Sequence, residues 1–132
     1  SVRISEVKSS LKQKYSMQQD DLIRLQHMLD AAREAVGFIR HRNRGDLDHD
    51  RQLTWALVKA IEIIGEAAYQ IRPQSRAELP DLPWNKIVGM RHRLVHAYFD
   101  INLDILWKTV QEGLPPLIVE IEKYISAKDS DA

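Results

Sequence analysis

Residues 53–71 have the sequence LTWALVKAIEIIGEAAYQI, and their apolar side chains follow the pattern of an amphipathic α-helix. The pattern repeats every three or four residues, at Leu53, Leu57, Ala60, Ile61, Ile64, Ala68 and Ile71. Side chains at this spacing lie on one face of a helix, which predicts that this face is buried. Asp48 or Asp50 can cap the start, and Pro73 ends the helix because the residue before a proline leaves the α region. Gly65 inside the helix predicts the close approach of a second helix backbone.

Similar stripes lie on both sides of this helix. The stripe before it predicts a helix over 20–42 with Asp20 or Asp21 as N-cap, and consists of Leu22, Leu25, Leu29, Ala32, Val36 and Ile39. The stripe after it begins at Trp84, because Pro83 suits the first turn of a helix, and continues to Tyr98.

A last stripe runs from Leu103 to Ile125 and predicts a helix with Asn102 as N-cap that ends near Ser126. Pro115 and Pro116 interrupt this stripe, which predicts a kink or a break.

The fold class follows from these patterns. Almost no segment alternates apolar and polar residues, so the sequence predicts an all-α fold, an antiparallel bundle of four to five helices. We interpret Trp84 and Trp107 as anchors of the core or of an interface. The predicted helical domain covers residues 19–127. It lies between an amino-terminal extension at 1–18, to which we assign no function, and a frayed tail at 128–132.

The composition narrows the functional classes. A length of 132 residues suits one domain. Nineteen Lys and Arg residues balance nineteen Asp and Glu residues, so any contact with RNA must come from a local cluster of positive charge. The absence of cysteine excludes disulfides and thiolate metal sites. Since no apolar run reaches the roughly 18–20 residues that span a bilayer, we expect a soluble, cytoplasmic protein that does not bind membranes.

Positive charge is concentrated at two places. Arg40, Arg42 and Arg44 follow the first predicted helix, and they form either a solvated loop or a patch that binds phosphate. The second cluster comprises Arg91, His92, Arg93 and His96. It lies in an apolar segment, where like charges repel and their burial is costly. The candidate RNA-binding residues of these clusters are Arg40, Arg42, Arg44 and Arg93.

An arginine and a histidine without a cysteine suit the cleavage of RNA. The ribose 2′-OH is an internal nucleophile, His can move a proton near neutral pH, and Arg can hold the phosphate. On an ideal helix Arg91 and His96 lie about 140° apart. Both can reach one phosphodiester only if the helix ends or bends near His96, or if a groove reaches around it. Arg91 and Tyr98, seven residues apart, share a face.

Two other interpretations of the second cluster stay open. In the first, the cluster is structural, and its arginines pair with acids such as Glu62, Glu66 or Asp100. In the second, His92 and His96, which are one helical turn apart, bind a metal ion. That ion would need a third ligand, for which Asp100, His41 and His49 are the candidates.

Several segments at these separations resemble the HepT family of the HEPN superfamily. They are IEIIGEAAYQI (61–71), LPW (82–84) and KIVGMRHRLVHAYFDIN (86–102), followed by an ILW-containing helix and LPPL. The resemblance covers about residues 21–125 and includes the RxxxxHxY motif formed by Arg91, His96 and Tyr98. His92 departs from the family pattern, in which a small polar residue usually follows the motif arginine, and we assign it a supporting role.

The resemblance implies both a fold and an activity. It implies a helical bundle that forms a two-fold homodimer, with the motifs of both subunits lining the cleft between them. It also implies the toxin of a toxin–antitoxin pair, an endoribonuclease that acts on messenger or transfer RNA without metal or cofactor, with Arg91 and His96 as catalytic residues. The implied partner is a minimal nucleotidyltransferase antitoxin that transfers AMP to Tyr98. An AMP group there would place negative charge beside Arg91 and compete with RNA.

Two functions of other classes stay open at this point. The protein could be a non-catalytic helical dimer that binds the nucleotidyltransferase and serves as its substrate, because a fold can persist after its chemistry is lost. Alternatively, it could be a regulator that binds a nucleotide in the same cleft.

Overall fold

The computed structural model describes residues 17–97 and 100–131, and most of this part is helical. The long helices are α1 (Gln19–Phe38), α2 (Arg51–Gln70) and α7 (Leu114–Asp131). The short helices are α3 (Pro73–Arg76), α4 (Trp84–Val88), α5 (Met90–Leu94) and α6 (Leu103–Lys108), with a 3-10 helix at Arg44–Asp48 and a π-helical turn at Thr109–Gly113. Strands β1 (Val95–Ala97) and β2 (Asp100–Ile101) form an antiparallel pair. The predicted all-α class is therefore confirmed, apart from one small hairpin. None of the helices in the described ranges is long and apolar enough to cross a membrane.

Helix α2 is the centre of the core, as its stripe predicts. All the apolar residues of that stripe, from Leu53 to Ile71, are buried. The amide of Leu53 donates a hydrogen bond of 3.0 Å to Oδ1 of Asp50, which confirms Asp50 as the N-cap. Arg24 near the start of α1 contacts the carbonyl of Gln70 at the end of α2, so these two helices run antiparallel.

Gly65 lies where the backbone of α4 approaches α2, which confirms the prediction of a close approach. A Cβ atom at this position would lie 3.5 Å from the carbonyl oxygen of Val88 and 3.6 Å from that of Ile87. These distances are ordinary van der Waals contacts, so a methyl group fits whereas a larger side chain would push α4 away.

We therefore expect Gly65→Ala to raise the free energy of unfolding by up to about 1 kcal/mol, because alanine favours the helix and the space accepts its methyl group. Gly65→Leu is the matched control and should instead lower the stability, because its side chain has to displace the α4 backbone. Urea denaturation of both variants measures the two effects. An alanine variant that is as unstable as the leucine variant would contradict the observed spacing.

The start of α1 differs from the prediction. Neither Asp20 nor Asp21 is the N-cap; the cap position is Gln18, whose side chain makes no capping hydrogen bond. Asp21 lies instead in the first turn, fully buried, and accepts hydrogen bonds from Arg24, Arg72 and Ser75. The prediction failed because two of these partners, Arg72 and Ser75, are distant in sequence and only the fold brings them to Asp21.

The predicted third helix is also wrong as a single element. It divides at Gly89 into α4 and α5, and it ends at Leu94. The carbonyl of Leu94 accepts a hydrogen bond of 2.7 Å from the amide of Asn102, so the chain turns back as β1 and β2 instead of continuing as a helix. The side chain of Asn102 accepts from the amide of Ile105, which confirms Asn102 as the N-cap of the following helix.

Of the kink or break predicted at Pro115 and Pro116, the break does not occur, because the chain stays helical from Leu103 to Asp131. The π-helical turn directly before the prolines replaces the break, and the amide of Leu114 donates to the carbonyl of Thr109. A proline lacks an N–H and clashes with the carbonyl four residues earlier, and a wider turn relieves that clash. Helix α7 continues beyond the predicted end near Ser126.

Candidate active site

Arg91 lies in the first turns of α5 and points towards α2. Its Nε donates a hydrogen bond of 2.8 Å to Oε1 of Glu62, and about half of the side chain (51%) is exposed. Oε2 of Glu62 lies 3.9 Å from Nζ of Lys59. The pairing of Arg91 with Glu62 is the one that the structural interpretation of the cluster expects. Within residues 17–97 and 100–131 the terminal nitrogens of Arg91 make no hydrogen bond, so they can still bind a phosphate as a pair.

His96 follows Arg91 after the helix has ended. Because α5 stops at Leu94 and His96 belongs to β1, the two residues are not held at the separation of about 140° that a continuous helix would impose. This is the helix end that a shared site requires. The imidazole of His96 and the whole of Tyr98 lie outside the described part of the structure, and so does the predicted AMP acceptor.

An open groove of about 930 Å³ lies beside Arg91, between α1, α2, α4 and α5, and we call it the Arg91 groove. Basic side chains lie on both of its sides, with α2 forming its floor. The residues with polar side chains that line it are Arg24, His27, Lys59, Glu62, Glu66, Tyr69, Gln70, Asn85, Arg91 and His92.

The Arg91 groove contains two exposed histidines, His92 on α5 and His27 on α1. Neither imidazole makes a hydrogen bond or an ion pair with any other residue that the structure describes. Both rings are therefore available to a ligand, which is compatible with the supporting role predicted for His92.

Arg93 is directed away from the Arg91 groove. Its Nη2 donates a hydrogen bond of 3.0 Å to the carbonyl of Lys86, and it lines a separate, mostly apolar groove with Met90, Ile105 and Leu117. The structure thus separates Arg91 and Arg93, although they are two residues apart in the sequence. Contact of Arg93 with RNA stays a prediction that requires a second surface.

The basic loop before α2 is tied together by ion pairs. Arg42 binds Asp46 at 3.2 Å and Asp50 at 2.7 Å. The amide of Leu53 and the Arg42 guanidinium hold the pKa of Asp50 below its ordinary value. These contacts indicate that Arg42 fixes the connection between α1 and α2.

Arg44 joins this loop to the start of α6. It pairs with Asp48 at 3.2 Å and with Asp104 at 2.6 Å. Arg40 is exposed and makes no ion pair within the described residues. Of the three arginines predicted to bind RNA in this loop, Arg40 is thus the one whose charge is not already balanced, and their contact with RNA stays a prediction.

The imidazole of His96 lies outside the described residues, so the metal site that His92 and His96 would form stays a prediction. Across the described ranges, no three His, Asp or Glu side chains are grouped so that they could hold a metal ion. His27, Lys59 and Tyr69 are groove residues that sequence reasoning missed. For Lys59 and Tyr69 the sequence did contain a signal, because both lie on the face of α2 opposite its buried stripe.

Known proteins that resemble this chain are described as ribonucleases. Residues 28–124 match the protein family described as "Ribonuclease HepT-like". "Putative RNase MJ1380" of Methanocaldococcus jannaschii is 34% identical over 98 residues, which cover 74% of this chain and 90% of that protein. "Probable ribonuclease HepT" of Thermococcus cleftensis is 40% identical over 74 residues, which cover 56% of this chain and 67% of that protein. No solved structure gives a significant match.

Proposed function

Since the chain belongs to the HepT-like ribonuclease family, we propose that it is an endoribonuclease that cleaves RNA without a metal ion, with Arg91 and His96 as catalytic residues. The observation that carries this proposal is the end of α5 at Leu94, beside an open groove that contains the Arg91 guanidinium. A continuous helix would have kept the two motif residues on different faces.

The reaction uses the RNA's own ribose as nucleophile. His96 accepts the proton of the 2′-OH, and the 2′ oxygen attacks the adjacent phosphorus while the bond to the 5′ oxygen breaks. The leaving 5′ oxygen takes a proton from His92 or from solvent. Arg91 binds the phosphate through its terminal nitrogens and stabilises the charge that develops on the phosphate oxygens. The products are a 2′,3′-cyclic phosphate and a 5′-OH.

The biological setting that we propose is a toxin–antitoxin pair. The protein acts as a two-fold homodimer on messenger or transfer RNA, and a minimal nucleotidyltransferase neutralises it by transferring AMP to Tyr98. Two facts support this setting: the family match and the RxxxxHxY spacing. The half-exposed Arg91 suggests how AMP transfer would neutralise the enzyme. The AMP phosphate would compete with RNA for this guanidinium.

A second candidate function is favoured by the Arg91–Glu62 ion pair. A guanidinium that is already balanced by a carboxylate at 2.8 Å suits a structural role. In that case the protein would be a non-catalytic dimer that binds the nucleotidyltransferase and is its substrate. Measurement of RNA cleavage decides between the two.

We expect the purified protein to cleave RNA in the presence of EDTA and to leave a 2′,3′-cyclic phosphate. The reason is that proton transfer and charge stabilisation come from side chains and the nucleophile comes from the ribose. The assay separates the products of a labelled oligoribonucleotide on a denaturing gel and identifies their ends. The matched substrate has a single 2′-deoxy nucleotide at the mapped cleavage position, which should abolish the cut there.

The same assay tests neutralisation. Preincubation with ATP and the nucleotidyltransferase should abolish cleavage by the wild-type protein and add one AMP to its intact mass, whereas Tyr98→Phe should gain no mass. Loss of activity upon EDTA treatment, or cutting at the 2′-deoxy position, would contradict the proposed chemistry. Absence of RNA cleavage together with AMP transfer to Tyr98 would support the non-catalytic alternative.

A further inference from the structure

Tyr69 is an exposed aromatic side chain on a rigid part of the backbone. With 68% of its surface accessible, it is the most exposed large hydrophobic residue in the described part of the chain. The backbone around it is fixed by Arg76, whose Nη2 donates hydrogen bonds to the carbonyls of Ala68 (3.0 Å) and Tyr69 (3.3 Å). An aromatic ring that is exposed on a fixed helix end is a flat apolar surface on which a planar group can stack.

The side chains that line the groove with Tyr69 indicate which class of ligand the ring binds. Tyr69 lines the Arg91 groove together with Lys59 on α2 and His27 on α1. The two carboxylates that line the same groove both accept hydrogen bonds, Glu62 from Arg91 and Glu66 from the side-chain Nε2 of Gln70 at 2.7 Å. An aromatic ring in a groove that also carries basic side chains is the combination that binds single-stranded nucleic acid, because the ring stacks on a base and positive charge attracts phosphate.

The spacing along α2 connects this end of the groove with the catalytic end. Tyr69 lies seven residues after Glu62, the partner of Arg91, which is about 10 Å at a rise of about 1.5 Å per residue. A stacked strand that advances about 3.4 Å per nucleotide covers this distance in roughly three nucleotides.

On these grounds we propose that the Tyr69 end of the Arg91 groove is a binding subsite for single-stranded RNA. Tyr69 stacks on an unpaired base a few nucleotides from the scissile phosphate. His27 contacts the backbone near that base, and Lys59 contacts the backbone on the other side of Glu62. The proposal rests on the proposed ribonuclease function, since it assigns to that enzyme a preference for an unpaired base at a fixed distance from the cut.

The test measures binding separately from cleavage. Fluorescence anisotropy gives the Kd of a labelled single-stranded oligoribonucleotide whose riboses are all 2′-O-methylated, so that it has no nucleophile. We expect Tyr69→Ala to raise the Kd by roughly 5- to 150-fold, the change caused by the loss of one base–aromatic stack. Tyr69→Phe keeps the ring and should stay within about twofold of wild type. Phe38→Ala removes a similarly sized exposed aromatic (43% accessible) from outside the groove and should not change the Kd.

A second variant tests the electrostatic part. Lys59→Gln should weaken binding and lower the magnitude of the slope of log K against log salt concentration by about 0.7, the value for one phosphate contact on a single strand. An unchanged Kd for Tyr69→Ala, or an equal loss for Tyr69→Phe, overturns the stacking assignment. Tyr69→Ala protein that binds RNA normally but escapes neutralisation by the nucleotidyltransferase also overturns it, because the ring would then contact a protein.

Cleavage of an unmodified oligonucleotide by the wild-type protein, measured in parallel, keeps the two proposals apart. Wild-type protein that cleaves RNA while Tyr69→Ala leaves the Kd unchanged refutes the subsite alone. Wild-type protein that neither cleaves RNA nor binds the methylated oligonucleotide refutes the proposed ribonuclease as well as its subsite.

Discussion

Replacing His96 with alanine is expected to lower the rate of RNA cleavage by about 10²–10⁴-fold, the contribution of a positioned general base. His96 lies in the short strand that follows α5 and not in a helix, so the change should leave the helices intact. Single-turnover cleavage of a labelled RNA measures the chemical step, and far-UV circular dichroism checks that the helices are retained. Full activity in the His96→Ala protein would refute the catalytic assignment.

The arginines of the same segment provide a matched pair for this experiment. Arg91→Ala should cost a similar factor, because Arg91 faces the groove and carries the charge that stabilises the phosphate. Arg93→Ala removes an identical side chain two residues later, yet Arg93 donates to the carbonyl of Lys86 and lines another groove. Its cleavage rate should therefore stay within a few-fold of wild type. Equal losses in both variants would indicate a general electrostatic effect instead of a site at Arg91.

The structure also explains why sequence reasoning located this site only in part. The hydrophobic stripe predicted the course of α2, and Asp50 was one of the two caps that the sequence offered, since both depend on residues close in sequence. Gly65 predicted the approach of a second helix backbone, but not that this helix is α4. The end of α5 at Leu94 depends on a hydrogen bond from Asn102, which no periodicity encodes. The apolar pattern that continues beyond Leu94 therefore predicted a helix where the chain forms strand β1.

The groove itself depends on residues that a single stripe cannot reveal. His27 and Arg91 belong to helices far apart in the sequence, and only the packing of α1 and α5 against α2 brings them to one surface. Arg42 and Arg44 show the opposite problem: the sequence suggested a free positive patch that ion pairs in the structure largely neutralise. The sequence presents these residues as a basic patch, but their acidic partners include Asp104, sixty residues away from Arg44. A local excess of arginine is thus a poor guide to a free positive surface until the fold places the carboxylates.

Asp21 is the residue whose replacement we expect to affect stability most. Its side chain has 0% exposure, and its two oxygens accept hydrogen bonds from Arg24 (3.0 Å), Arg72 (3.0 Å) and Ser75 (2.6 Å). We expect Asp21→Asn to lower the free energy of unfolding by about 3 kcal/mol, the lower end of the range for a broken buried pair. The lower end applies because both arginines are about one third exposed and can regain water. Asn also points an amide donor at groups that are themselves donors.

The same carboxylate makes stability depend on pH in the acid range. Burial alone would raise the pKa of Asp21, but the hydrogen bonds from Ser75, Arg72 and Arg24 outweigh burial, so the pKa lies below its ordinary value of 3.8. A pKa that is lowered in the folded state contributes stability above the unfolded value, and this contribution is lost as the pH falls through the folded value. The difference between wild type and Asp21→Asn should therefore be constant from about pH 5 to 7 and should shrink below the unfolded pKa of about 3.9.

Urea denaturation at a series of pH values measures this difference. The neighbouring Asp20→Asn is the matched control: its side chain is 55% exposed and also faces Arg24 and Arg72, so its loss should cost less than about 1 kcal/mol. If the two variants lost equal stability at neutral pH, the buried position of Asp21 would not matter, and the network would act only as surface charge. A large loss for Asp21→Asn that does not shrink as the pH falls below about 4 would instead assign the effect to packing, because a contribution from the charge declines below the unfolded pKa.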